Sequence, residues 1–186
     1  AAAVDFLVAL GTHPPLDDAQ MLRLFGLSAE ERATTYADVG LLNHAWRDPN
    51  ALATLGVIPA EEIAHLSNGL FAQDVPVRIN RLVLEYDHVL ICGPVFPHEV
   101  VGFSGGNKYF FPGVAGPDII DFTHWLGALL TSYSIIGTKD TAVRAVIDRA
   151  AAMIPTPRHA LCSVVTVDGV EGVFVDTPEA AWSAAA

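Results

Sequence analysis

The sequence has 186 residues, 52% of them apolar, and a formal charge of −11 from 21 acidic against 10 basic side chains. That length holds one domain with a real core. The charge repels nucleic-acid backbones, and no apolar run approaches the roughly 20 residues of a bilayer span, so nucleic-acid binding and membrane insertion are set aside.

The chain opens with Ala1, Ala2 and Ala3 and closes on Ala184, Ala185 and Ala186, so both ends read as cut edges of something larger. No charged-then-apolar leader pattern precedes the first element. Residues 4–10 form an apolar run that predicts a strand, ended by the turn Gly11-Thr12-His13-Pro14-Pro15. Residues 16–25 have helical periodicity, begin with Asp17 and Asp18, and stop at Gly26. Ser28 and Glu31 have capping-box spacing and open a second short helix. Residues 75–79 look extended. Residues 87–93 contain Val89-Leu90-Ile91-Cys92, which reads as a buried strand.

A Gly-rich stretch, residues 93–116, follows that strand. Asp118 is then expected to cap a helix with Ile119, Phe122, Leu126 and Leu129 on one side. A further helix spans about residues 138–153, with Val143, Val146, Ile147 and Ala150 as its apolar face. Residues 161–167, the turn Asp168-Gly169 and residues 170–175 read as a hairpin, and a short helix ends the chain. Alternating strands and helices predict an α/β fold: a three-layer, Rossmann-like domain with a mostly parallel sheet. Ligands in such sheets sit where loops leave the carboxyl ends of strands. The loops at 11–15 and 93–116 are of that kind. Cys92 and Cys162 lack metal-type spacing and are expected as buried free thiols in a reducing cytoplasm.

The densest chemical signal is the run from Gly93 through Pro97-His98, Gly102-Phe103-Ser104-Gly105-Gly106 to Asn107-Lys108. Glycines let backbone N–H groups approach a ligand closely. The spacing is not that of a P-loop or of a dinucleotide fingerprint. Lys108 is one of two lysines and is followed by Tyr109, Phe110 and Phe111. Such flanks desolvate an amine, which lowers its pKa and frees it for covalent chemistry; an exposed lysine on a Gly-rich turn is the plainer reading. Of seven histidines, His13, His98 and His124 stand out by position. His44, beside Trp46, reads as a satisfied structural histidine. No His-x-x-x-His or Cys-x-x-Cys pair exists, so a closed zinc site is not expected.

Taken together, Gly11-Thr12-His13-Pro14, Pro97-His98, Gly102 through Gly106, Lys108, Pro112-Gly113 and His124 resemble the signature of the nickel-pincer lactate racemase family. The similarity runs from the first strand to the last hairpin and is weaker over residues 125–158. The resemblance implies the N-terminal catalytic domain of an isomerase, a racemase or epimerase of a small 2-hydroxy acid. It implies a nickel-pincer nucleotide, a pyridinium bis-thiocarboxylate mononucleotide, tethered to Lys108, with His124 as the protein ligand to nickel. His13 and His98 would be the acid and base, and Ser104, Gly105 and Gly106 would contact the cofactor. It further implies cofactor-making enzymes as partners and a cytoplasmic setting. On this reading residues 1–186 are a single catalytic-domain fragment, without the family's Asp-His-Thr-Arg-Pro segment and C-terminal domain. Pro14 and Asn107 depart from the family, which tends to have basic residues there. A non-catalytic anion- or nucleotide-binding relative and a metal-assisted hydrolase using the same loop stand as alternatives.

Overall fold

A computed structural model of the chain describes residues 3–186; the expectation for Ala1 and Ala2 lies outside them. The first strand, β1 (Phe6–Val8), leads through the His13 turn to α1 (Asp18–Phe25). Asp17 caps α1 by accepting from the Gln20 N–H at 2.7 Å, and Gln20 Oε1 accepts in return from the Asp17 N–H at 2.9 Å. Gly26 ends the helix in the left-handed region, φ 65°. The Ser28 capping box opens α2 (Ala29–Ala33) as the spacing predicts. Next, β2 (Leu41–Asn43) lies parallel to β1, Phe6 opposite Leu41 and Val8 opposite Asn43. Both strands therefore end at the same edge.

A second unit, β3 (Leu52–Ile58), α3 (Ala60–Leu66) and β4 (Val75–Asn80), pairs β3 and β4 antiparallel. After α4 (Leu82–Glu85), β5 (Val89–Pro94) enters the Gly-rich stretch. That stretch holds a small hairpin, β6 (Pro97–His98) with β7 (Gly102–Phe103), and a 3-10 turn at Gly106–Tyr109. Three helices follow: α5 (Pro117–Leu130), α6 (Ser132–Ile135) and α7 (Ala142–Ala151). The hairpin β8 (Arg158–Thr166) and β9 (Gly169–Asp176) and the helix α8 (Pro178–Ala185) complete the fold.

The α/β class read from the sequence is the class of the structure. The expected mostly parallel sheet is corrected: among the described residues the strands form four small sheets, with β1–β2 and β5–β8 parallel and β3–β4, β6–β7 and β8–β9 antiparallel, because short hairpins rather than helical crossovers join the antiparallel pairs at β6–β7 and β8–β9. The core forms where β4 meets α5 and α5 meets α7. Val77, Ile79, Ile119, Leu126, Val146 and Ile147 are fully enclosed there, each worth about 1.5–3 kcal/mol of burial. Among the described residues no helix is long and apolar enough to cross a membrane.

Three local expectations are corrected. Leu90 and Cys92 are exposed while Ile91 is buried. β5 therefore has one covered face, and an unbroken apolar run does not imply two. Both cysteines are free, and Cys162 alone is the buried thiol. Asp118 does not cap α5: Gly116 holds the cap position, Pro117 follows it, and Asp118 accepts from Arg78 Nε at 2.8 Å. Leu129, in the last turn of α5, is exposed, while Ile119, Phe122 and Leu126 are buried as expected.

Gly102 tests the packing of the hairpin that carries His98. Its φ is +89°, and a β-carbon there would run into the carbonyl of Thr138 and the methyl of Thr141. Left-handed strain and overpacking each cost about 1–3 kcal/mol, so Gly102→Ala should destabilise the protein by about 2–5 kcal/mol. A lowered urea midpoint at constant m-value is the expected result.

Candidate active site

Four segments deliver the side chains that the sequence singles out. The first is the turn after β1, where Gly11 has φ 55° and donates its N–H to the Gly113 carbonyl at 2.7 Å. The His13 N–H donates to the Leu10 carbonyl at 2.9 Å. This turn is thus pinned to the far end of the Gly-rich stretch, and its histidine is exposed beside it. Among the described residues the His13 ring has no hydrogen-bond partner.

His98, at the end of β6, has its Nδ1 fixed by the Val100 N–H at 3.0 Å. A ring nitrogen that accepts is unprotonated, so the neutral ring carries its proton on Nε2. Glu99 Oε2 stands 3.6 Å from the same Nδ1. That separation is beyond hydrogen-bond reach, so while Nδ1 accepts from Val100 the free edge of the neutral ring is an Nε2–H donor. Burial, then the charge of Lys108, holds the His98 pKa below the ordinary imidazole value, against Glu99.

Lys108 sits in the 3-10 turn, half-buried. Burial, followed by the Arg144 charge, pulls its amine below the ordinary lysine pKa, and Glu99 opposes the shift. The desolvated lysine read from its aromatic flanks is the lysine observed. His124 lies on α5 with Nδ1 2.7 Å from the Ile120 carbonyl one turn back. A carbonyl can only accept, so Nδ1 carries the proton and Nε2 keeps a bare lone pair, as a metal-ligating imidazole requires.

These four residues line a single open cleft of ≈ 300 Å³, together with Thr12, Glu99 and Thr123. Among the described residues no three His, Cys, Asp or Glu side chains converge as a metal cage. His124 could therefore be one ligand to a metal whose other ligands come from a bound group. A reactive amine and a single lone-pair imidazole in one cleft fit a covalently held metal cofactor.

Ser104, Gly105 and Gly106, expected against the cofactor, do not line this cleft. Ser104 is buried; its hydroxyl donates to the Pro94 carbonyl at 3.2 Å and accepts from the Phe96 N–H at 3.0 Å. A β-carbon at Gly105 would meet Val95, and one at Gly106 would meet Trp182. The glycines admit packing partners behind the loop, a role that a Gly-rich pattern does not distinguish from ligand contact. What holds the loop is Arg144, a residue given no role in the sequence reading. Its guanidinium donates to the carbonyls of Phe103 and Gly105 and stacks 4.2 Å from the Trp182 ring centroid. Burial pulls its pKa down to about 10, which leaves it charged at neutral pH. A lone arginine beside the apolar face of α7 was the available signal. Asn107 completes the support by donating to Asp148 at 2.9 Å and Glu179 at 2.8 Å. His44 is structural, as read: Nε2 lies 2.9 Å from the Ala115 carbonyl and Nδ1 accepts from Asn80 at 3.1 Å.

Comparison with known proteins bears on this cleft. A family model described as the lactate racemase N-terminal domain matches residues 1–135. A lactate racemase from Thermoanaerobacterium thermosaccharolyticum is 26% identical over 140 residues, 75% of this chain and 28% of that protein. A crystal structure of a Thermotoga maritima protein from the Northeast Structural Genomics Consortium superposes with a TM-score of 0.88 at 30% identity, covering 98% of this chain and 45% of that one. The lactate racemase apoprotein structure from T. thermosaccharolyticum superposes with a TM-score of 0.76 at 22% identity, covering 99% of this chain and 40% of that one. The chain thus spans less than half the length of each of these relatives.

The electrostatics can be checked without turnover. Lys108 is a positive neighbour that disfavours the imidazolium of His98. Lys108→Met should therefore move the His98 titration midpoint upward, read from its imidazole resonances by NMR. A midpoint that stays fixed or falls would show that the two groups do not face one cleft.

Proposed function

The chain belongs to the lactate racemase N-terminal domain family, and on that premise we propose that it carries the active-site residues of a racemase or epimerase acting on a small 2-hydroxy acid. The observation that supports this most is the convergence of His13, His98, Lys108 and His124 on one cleft from four separate segments. An anion-binding module has no use for two histidines, a desolvated amine and a lone-pair imidazole at one place.

Inverting a 2-hydroxy acid by removing its α-proton is difficult because that carbon is weakly acidic. The nickel-pincer nucleotide that the family resemblance implies supplies, when bound, a two-electron hydride acceptor and donor. Lys108 is the residue that would hold this group covalently, because its lowered pKa leaves more of the amine neutral. His124 would give Nε2 to the nickel, a metal that imidazole suits. The remaining work falls to the chain's own acid and base. One histidine takes the hydroxyl proton as the 2-hydroxy acid becomes a planar 2-keto acid, and a proton returns to that oxygen when the acid is reformed. A second histidine serves the opposite hand. Histidine suits both directions because its pKa lies close to working pH. For His98, the Val100 N–H on Nδ1 leaves Nε2–H as the proton donor of the neutral ring, the form that would return a proton to the substrate oxygen. The free thiols accord with the cytoplasmic setting expected from the sequence.

The test is racemisation of an α-deuterated 2-hydroxy acid by the full-length protein coexpressed with cofactor-making enzymes. Both enantiomers of the product should retain deuterium, because the hydrogen leaves and returns as hydride. His13→Ala and His98→Ala should each lower the rate by about 10²–10⁴-fold, the span for loss of a general acid or base. Deuterium lost to solvent, or a native rate in either variant, would contradict the proposal.

A further inference from the structure

The His13 turn walls two cavities. On one side is the cleft just described. On the other is a larger one, ≈ 480 Å³ against ≈ 300 Å³, bounded by Thr12, His13, Pro14, Trp46 and Arg47. Its position follows from the fold. β1 and β2 run parallel, so the loop after β1 and the loop after β2 emerge side by side, where parallel strands place ligands.

The polar groups of this second cavity sort into spent and free. Asn43 uses its amide on the backbone of Leu16, accepting at 3.0 Å and donating at 2.9 Å. His44 is committed to Ala115 and Asn80. Asp48, the one carboxylate, accepts from the Asn50 N–H at 2.9 Å as the cap of its own short turn. Among the described residues, the Thr12 hydroxyl, the His13 ring and the Arg47 guanidinium have no hydrogen-bond partner. Arg47 lies 4.4 Å from the centroid of the Trp46 ring. No acidic group pairs with it, although the chain carries 21 acidic residues. Arg78 and Arg149, by contrast, are each bonded to a carboxylate.

A guanidinium set over an indole face, with no carboxylate partner, has N–H groups left for a planar anion. We propose that this cavity receives the far end of the substrate and that this end is a carboxylate, so that the preferred substrate is a 2-hydroxy acid with a second carboxylate on its side chain. The hydroxyl-bearing carbon would lie at His13 and the second carboxylate would meet Arg47, which lines the same cavity. Lactate has no second carboxylate to offer it. Pro14 stands where a basic residue is expected from the family resemblance, and Arg47 restores a positive charge on the neighbouring loop. The inference rests on His13 being the substrate-side acid or base.

The experiment compares malate with lactate on the full-length protein, by titration calorimetry on the apoprotein and by racemisation kinetics on the cofactor-loaded form. The wild type should favour malate in both. Arg47→Gln should lower the malate-to-lactate ratio of affinity, and of kcat/KM, by about 10- to 100-fold, as expected for loss of a hydrogen bond to a charged group. Arg47→Lys should keep part of it, and Arg23→Gln, the same charge change elsewhere, should leave the ratio as it was. Malate binding that Arg47→Gln removes, without racemisation of either acid, would support the cavity assignment while contradicting the proposed function. A ratio within about threefold of wild type in Arg47→Gln, or 2-hydroxybutyrate, which lacks the second carboxylate, binding as tightly as malate, would overturn the inference.

Discussion

The buried guanidinium of Arg144 is the constraint on which the site depends. The Gly-rich stretch must leave β5, turn back through a small hairpin and present Lys108 at a cleft, all with little regular structure of its own. Its carbonyls at Phe103 and Gly105 are satisfied by Arg144, and the one between them, at Ser104, accepts from Trp182 Nε1 at 2.9 Å. Hydrogen bonds to a charged donor are worth about 1.5–3 kcal/mol each, and stranding buried carbonyls costs as much again. One side chain on α7 and one on α8 thereby fix three consecutive residues of a loop. Burial first, and then the same charge, hold the Lys108 pKa below the ordinary lysine value, so the group that shapes the loop also favours the neutral amine.

That arrangement explains why glycine is needed at two positions that do not line the cleft. Gly105 and Gly106 lie against Val95 and Trp182, closer than a β-carbon permits. The polar network continues through Asn107 to Asp148, whose carboxyl burial raises above the ordinary value while Asn107 and Arg144 pull it down. The cleft side of the turn is left to the functional groups, and the packing side is closed. Loop precision of this kind is usually supplied by regular elements; here it comes from a charge, an indole and an amide behind the turn.

Much of this was legible in the sequence. The acidic start of α1, the capping box at Ser28 and the apolar face of α7 are local signals with local causes and appear where they were read; the hairpin turn falls one residue early, at Val167-Asp168. His13, His98, Lys108 and His124 stood out in the sequence because the first follows a strand-ending turn, the next two lie in the Gly-rich stretch, and the last lies on the helix after it. What was not legible depends on neighbours far away in the chain. β3 does not alternate cleanly because a bulge shifts its register between Thr54 and Gly56. Leu90 and Cys92 read as buried because an apolar run does not say which faces of a sheet are covered. Asp118 read as a cap because its partner, Arg78, is 40 residues away. The role of Arg144 depends on carbonyls some 40 residues earlier, which no spacing rule reaches.

The central claim is that the Gly-rich loop holds Lys108 as a covalent anchor and aims His124 at the group it carries. Peptide mapping by mass spectrometry, with nickel quantified on the same sample of full-length protein coexpressed with cofactor-making enzymes, tests it most directly. The account predicts one adduct on the peptide containing Lys108 and one nickel per chain, with His124→Ala keeping the adduct and losing the metal. An adduct on Lys139, or nickel at full stoichiometry in His124→Ala, would contradict it.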